Sequence, residues 1–197
     1  MIFITLMILN TYFFLMINLV QRILLAKTNV FRPFYLTQAV LPGIRSRRSG
    51  TIASISRIAV NTPTYSLYTA SKFSLEGFSE VLSKEISEFG ISTLIIEPGA
   101  FRTNFLYAIK ASEKGIPEAY RGTTADQVFN RFKAVAGKQI GDPVKAAERM
   151  RGTGRATEGQ DLRLVLGKDV HARITAKIEQ QQRDMEAARE VTFSTDL

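Results

Sequence analysis

Cysteine is absent from the 197 residues, which excludes disulfides, thiolate metal sites and a cysteine nucleophile. That composition is compatible with a reducing compartment. Histidine occurs once, at His171, with no cluster of ligating residues around it. No metal site is therefore expected, and His171 reads as a surface helix position. Acidic residues are missing from the first 75 positions, which carry eight Lys or Arg, while residues 76–197 hold eighteen of each sign. The whole net charge of +8 thus sits in the first part of the chain. It does not read as a nucleic-acid surface. Arg45, Arg47 and Arg48 close a helical stretch, where cations offset the negative pole, and no aromatic residues interleave with them as a single-strand groove requires.

Charge of either sign is also missing from Met1 to Val20, which is almost continuously apolar and interrupted mainly by Asn10 and Asn18. A helix of that length can span a bilayer. No basic region precedes it and no small-residue cleavage pattern follows, which argues against a cleaved signal peptide. Residues 1–26 are expected to form an apolar segment separate from the domain at 27–197. The readings left open for it are a membrane helix through residues 1–20, a buried element of the fold, and an artefact of the gene model. Arg22 and Lys27 would hold the remainder on the cytosolic side of a membrane. The expected location is cytoplasmic, or membrane-anchored with the domain facing the cytosol.

From Thr28 onward helical and strand patterns alternate. Phe34–Ile44 has helical spacing that ends around Pro42 and Gly43, and Gly50–Ser56 follows as a short apolar strand. Leu75, Phe78, Val81, Leu82 and Ile86 recur at helical intervals within Tyr68–Phe89, and Gly90 supplies a stop. Ser92–Glu97 reads as a buried strand ended by Pro98 and Gly99. Further on come a helix at Pro143–Met150, a flexible connection through Gly152, Gly154 and Gly159, a strand at Leu162–Leu166 and a helix at Val170–Val191. Such alternation predicts an α/β fold with a parallel sheet covered by helices.

Within this order Tyr68 and Lys72 stand four residues apart, one helical turn, and so share a face. A neighbouring ammonium favours the phenolate and lowers a phenol pKa towards neutrality. That is an acid/base pair suited to alcohol and carbonyl chemistry.

The surrounding motifs extend the pattern: Thr28-Asn29-Val30-Phe31 before it, Gly50-Thr51-Ile52 and the serine strand next, Glu97-Pro98-Gly99 with Thr103 after it, and Arg163-Leu164-Val165-Leu166-Gly167 and Ser194-Thr195-Asp196 towards the end. In that order the chain resembles the short-chain dehydrogenase/reductase family (SDR) from about Thr28 to the C-terminus. The resemblance implies a Rossmann-like, doubly wound sheet and an NAD- or NADP-dependent interconversion of a small-molecule alcohol with a ketone or aldehyde. Tyr68 would exchange the proton. Lys72 would depress the tyrosine pKa and bond the nicotinamide ribose. Asn29 would help hold a proton-relaying water, a helix cap being the alternative for that residue taken alone. Pro98, Gly99 and Thr103 would meet the nicotinamide end of the cofactor. A homo-oligomer through the helix carrying the pair is a further expectation.

Two places depart from the family's pattern. Ser56 is followed by Arg57 where the family has a second serine, so Ser56 is the favoured candidate to polarise the substrate and a site without a functional serine is the competitor. The family's glycine-rich phosphate turn would precede Asn29 by about a hundred residues, yet the twenty-eight residues before Asn29 contain no glycine. The sequence therefore reads as a partial Rossmann-like domain, a truncated form whose activity is the open point. A silent fragment acting as a membrane-attached or interaction module is the alternative. Residues 105–141, with Phe105, Tyr107, Tyr120, Phe129 and Phe132, hold the position of a lid suited to a bulky apolar substrate, or else simply cover the sheet.

Overall fold

The structure is a computed structural model that describes residues 2–4, 19–57, 62–107, 116–156 and 162–196. Its strands are β1 (Ile2–Ile4), β2 (Gly50–Ile55), β3 (Ile91–Pro98) and β4 (Leu162–Leu166), which form one parallel sheet in the order β1-β2-β3-β4. Parallel neighbours need long crossovers, and helices supply them. Helices α1 (Leu19–Ala26) and α2 (Arg32–Arg47) lie between β1 and β2, α3 (Ser66–Ile86) between β2 and β3, and α4 (Thr124–Val135) and α5 (Pro143–Ala156) between β3 and β4. After β4 come α6 (Lys168–Ala187) and the short α7 (Arg189–Phe193). This is the expected α/β, Rossmann-like architecture.

The period of two along a strand divides the β2 and β3 side chains between two layers. Ile52 and Ile91 meet Ile44 of α2 and Leu82 and Ile86 of α3. Ala53, Ile55, Leu94 and Ile96 pack on the opposite face with Met150 of α5. Each fully buried aliphatic side chain of this kind contributes about 1.5–3 kcal/mol. The alternation also carries Ser54 and Ser56 to the α3 side, where Ser79 Oγ donates to Ser54 Oγ at 2.8 Å.

Three expectations need correction. The apolar start is not a membrane helix in its described parts: Ile2–Ile4 pair in register with Ile52–Ser54 as a strand, and Leu25 of α1 is buried. Residues 5–18 lie outside the described residues, and among the described residues no helix is long and apolar enough to cross a membrane. Secondly, α2 continues through Pro42 to Arg47. Proline removes one backbone donor, but Val40, Leu41 and Ile44 are packed into the core on either side of it, and this packing outweighs the lost bond. Thirdly, α5 runs through Gly152 to Ala156, because glycine costs a helix only about 1 kcal/mol. Gly159 lies outside the described residues.

The arginines that close α2 are tied down as expected for a helix end. Arg48 has a left-handed φ of 50° and donates to the Glu88 carbonyl at 2.8 Å, and the Arg45 guanidinium lies over the Phe89 ring. Gly90, at φ 67°, reverses the chain below α3, where a Cβ would come within 2.6 Å of the Arg48 carbonyl. Only glycine meets both demands without strain.

Candidate active site

The carboxyl ends of the parallel strands open onto a cavity of about 1380 Å³, the place where open α/β sheets bind ligands. Tyr68, Lys72, Ser56, Pro98, Gly99 and Thr103 all line it. Tyr68 and Lys72 stand in the first two turns of α3, at 8% and 6% exposure. Lys72 Nζ donates to the Ile55 carbonyl at the end of β2, at 2.9 Å, and lies 5.9 Å from the centre of the Tyr68 ring. Tyr65 and Phe105 frame the Tyr68 ring, and Phe132 of α4 packs edge-on against Tyr65.

The electrostatics differ from the sequence expectation. Burial pushes the Tyr68 phenol above its ordinary range, and the charge of the Arg57 guanidinium is what draws it back down. Lys72 is not among the causes of the Tyr68 shift. It is itself lowered to about 8, first by burial and then by the Arg57 charge. Burial penalises an ammonium as it does a phenolate, so the phenol moves up and the ammonium down, each shift favouring the uncharged form.

Asn29 is buried in a π-helical turn, Lys27–Phe31, that joins α1 to α2. Its Nδ2 donates to Ser71 Oγ at 3.0 Å, and that hydroxyl donates to the Tyr68 carbonyl at 2.7 Å. Asn29 thus fastens the turn of α3 that carries Tyr68 and is not among the residues lining the cavity. Nor is it a helix cap, since helical backbone continues on both sides.

Ser56 lines the cavity but its hydroxyl is committed elsewhere. Ser56 Oγ lies 2.6 Å from Glu76 Oε2 and 3.1 Å from the Lys72 carbonyl, and one of these acceptors takes its single proton. The parity of β2 aims it at α3. Behind it, Arg163 of β4 bonds Glu76, reaches Glu80 at 2.6 Å and lies 2.9 Å from Glu97, a carboxylate with no exposure at all. These contacts raise the guanidinium pKa further above its ordinary value, against the effect of its partial burial.

The loop after β3 is fixed at both ends. Gly99 N donates to the Leu166 carbonyl at 2.7 Å, and Ala100 N donates to Asp169 Oδ2 at 3.0 Å. A Cβ on Gly99 would collide with the Asp169 carboxylate, which explains why the smallest residue stands there. Among the lid aromatics, Phe105 and Phe132 line the cavity and Phe129 is buried beside them, whereas Tyr107 and Tyr120 face solvent. The charged side chains of α6 that line the cavity, Asp169, Arg173 and Lys177, carry no sequence signal beyond an amphipathic helix.

A sequence profile described as short chain dehydrogenase matches residues 13–114, slightly more than half of the chain. The chain belongs to that short-chain dehydrogenase family. Oxidoreductase claN of Passalora fulva is 40% identical over 115 residues, which cover 57% of this chain and 52% of that protein. An uncharacterized oxidoreductase of Bacillus subtilis, YusZ, is 32% identical over 152 residues, 73% of this chain and 52% of its own length. This short-chain dehydrogenase chain therefore spans about half the length of these curated relatives. Among solved structures, a short-chain dehydrogenase from Streptomyces avermitilis superimposes with a TM-score of 0.76 at 34% identity, covering 91% of this chain and 65% of that one.

Proposed function

We propose that this short-chain dehydrogenase is an NAD(P)-dependent oxidoreductase that interconverts an alcohol and a ketone or aldehyde, with Tyr68 moving the proton. The observation that carries the reading is the convergence of Tyr68 and Lys72, one turn apart, on a cavity that also receives Pro98, Gly99 and Thr103. The donor set fits the nicotinamide end of a dinucleotide, since Lys72 keeps N–H groups beyond the one given to Ile55. Tyr68, Lys72, Pro98, Gly99 and Thr103 are the residues that would hold it. When bound, the dinucleotide supplies or accepts the hydride. Tyr68 gives its proton to the substrate oxygen in reduction and recovers it in oxidation. The walls of Phe105 and Phe132 keep water from the reacting carbon and select an apolar substrate.

Titration of the chain with NADH and NADPH, followed by nicotinamide fluorescence, tests the first half of the proposal. A saturable signal is expected, and none at millimolar cofactor would sink it. With turnover in hand, Tyr68→Phe should lower kcat by a factor of about 10³. Unchanged turnover would refute the role of Tyr68. A second reading, a chain that binds no cofactor and does no chemistry, draws on its spanning half of its relatives. The same titration separates the two.

A further inference from the structure

We propose that Arg57 is a catalytic residue of this site, the second donor to the oxygen that Tyr68 protonates; the inference rests on the oxidoreductase reading above. A carbonyl oxygen that gains charge as its carbon gains a hydride is best held by two preorganised donors in a water-poor site. Tyr68 is one. Ser56, the candidate favoured from the sequence, has given its proton to acceptors on α3. Lys72 Nζ is drawn towards the end of β2 by the Ile55 carbonyl.

Arg57 follows β2 by two positions, after the strand's parity has turned Ser56 away. It lines the cavity and lies 5.8 Å from the centre of the Phe105 ring, the same ring that the Tyr68 ring approaches at 6.0 Å. The guanidinium carries five N–H groups in a planar fork, so one branch can hold the phenol while another reaches the oxygen next to it. Among the described residues no carboxylate lies within ion-pair distance of Arg57.

The proton balance follows directly. In reduction the C=O π pair moves to oxygen, that oxygen takes the Tyr68 proton, and a phenolate remains beside Arg57. In oxidation the phenolate recovers the proton from the alcohol. Arg57 therefore stabilises the charged oxygen at either end of the transfer, a role that neutral serine fills with one hydrogen bond.

The test uses the whole chain with Arg57→Gln and Arg57→Lys, and two readouts. The first is the ¹³Cζ resonance of Tyr68, assigned through its loss in Tyr68→Phe and followed in the absence of cofactor. It should shift in Arg57→Gln at neutral pH, and its ionisation should begin at higher pH than in the unmodified chain. The second is turnover of a hydrophobic ketone with reduced nicotinamide cofactor, with kcat falling about 10²–10³-fold in Arg57→Gln. Arg57→Lys, which keeps the charge without the fork, should recover part of that loss. A resonance that does not move, or a kcat that does not change, overturns the proposal. Should the unmodified chain show no turnover with either cofactor, the oxidoreductase reading falls and the catalytic role of Arg57 with it, whereas turnover that Arg57→Gln leaves unchanged overturns the role of Arg57 alone.

Discussion

Lys72 is an ammonium held in a nearly water-free position by a single backbone acceptor, and burial together with the Arg57 charge lowers it to about 8. The unfolded chain holds that proton to about pH 10.4. Between these values the unfolded state binds more protons, so stability from this group rises with pH. It is fully present above about pH 10 and lost as pH falls through 8, a change of about 3 kcal/mol at most. The buried phenols of Tyr65 and Tyr68, both raised, act in the opposite sense above pH 10. The window for Lys72 is therefore pH 8 to 10. Urea unfolding should show Lys72→Met more stable than the unmodified chain at pH 7, with the difference shrinking towards pH 10. A gap that stays constant would mean that folding does not lower the Lys72 pKa. The spacing of Tyr68 and Lys72 was readable from the sequence because a helix has one period. The partner of the phenol was not, because the direction of Ser56 and Arg57 depends on where β2 ends, and one residue at a strand terminus decides which side chain enters the cavity.

At the scale of elements, α3 joins the two halves of the site. Its first turns present Tyr68 and Lys72 to the cavity, and Glu76 one turn later meets Ser56 and Arg163. Glu76 and Glu97 are buried at 4% and 0% side-chain exposure, and Arg163 is the cation that pairs with both, with the Lys177 charge acting on both as well. Removing the cation leaves two carboxylates out of water, which is far more costly than the net worth of the pairs. Arg163→Ala is expected to destabilise the fold by about 3–5 kcal/mol. The double change Arg163→Met with Glu97→Gln should recover part of that loss in thermal unfolding, and equal losses in both variants would show that the network does not act as a unit. Most elements were legible from hydrophobic period: β2, β3 and β4 stand within one residue of expectation, and α3 starts two residues and ends three residues earlier than expected, a 3-10 turn filling Ser87–Phe89. The errors fell on Pro42 and Gly152, where local propensity argued for a break and packing of neighbours onto the sheet overrode it. The arginine–carboxylate network was invisible for a different reason. Its members, Glu76, Glu97 and Arg163, come from three separate elements and meet only through the strand register that sets Ile95 beside Arg163.

Across the whole molecule, cations from both parts of the chain gather at the cavity. Six cations line it, Arg57, Lys72, Arg131, Lys138, Arg173 and Lys177, and Asp169 is the one carboxylate among the lining residues, its Oδ2 bonded to Ala100 N. A concave site of one sign with apolar walls such as Phe105 and Phe132 focuses the field and raises the local concentration of anions. The phosphates of a dinucleotide are the natural beneficiaries, and an uncharged ketone gains nothing from it. The two ligands should therefore respond differently to salt. Raising ionic strength from about 0.02 M to about 0.5 M shortens the screening length from roughly 20 Å to about 4 Å, less than the span of the cavity. The dissociation constant of NADH, measured by nicotinamide fluorescence, is expected to rise about tenfold over that range. The KM of a neutral ketone at saturating cofactor should change less than about twofold. Arg173→Gln, a change on α6, should flatten the salt dependence without altering the rate of the chemical step. A dissociation constant indifferent to salt would show that the cations of the cavity are spent on the fold and not on the ligand.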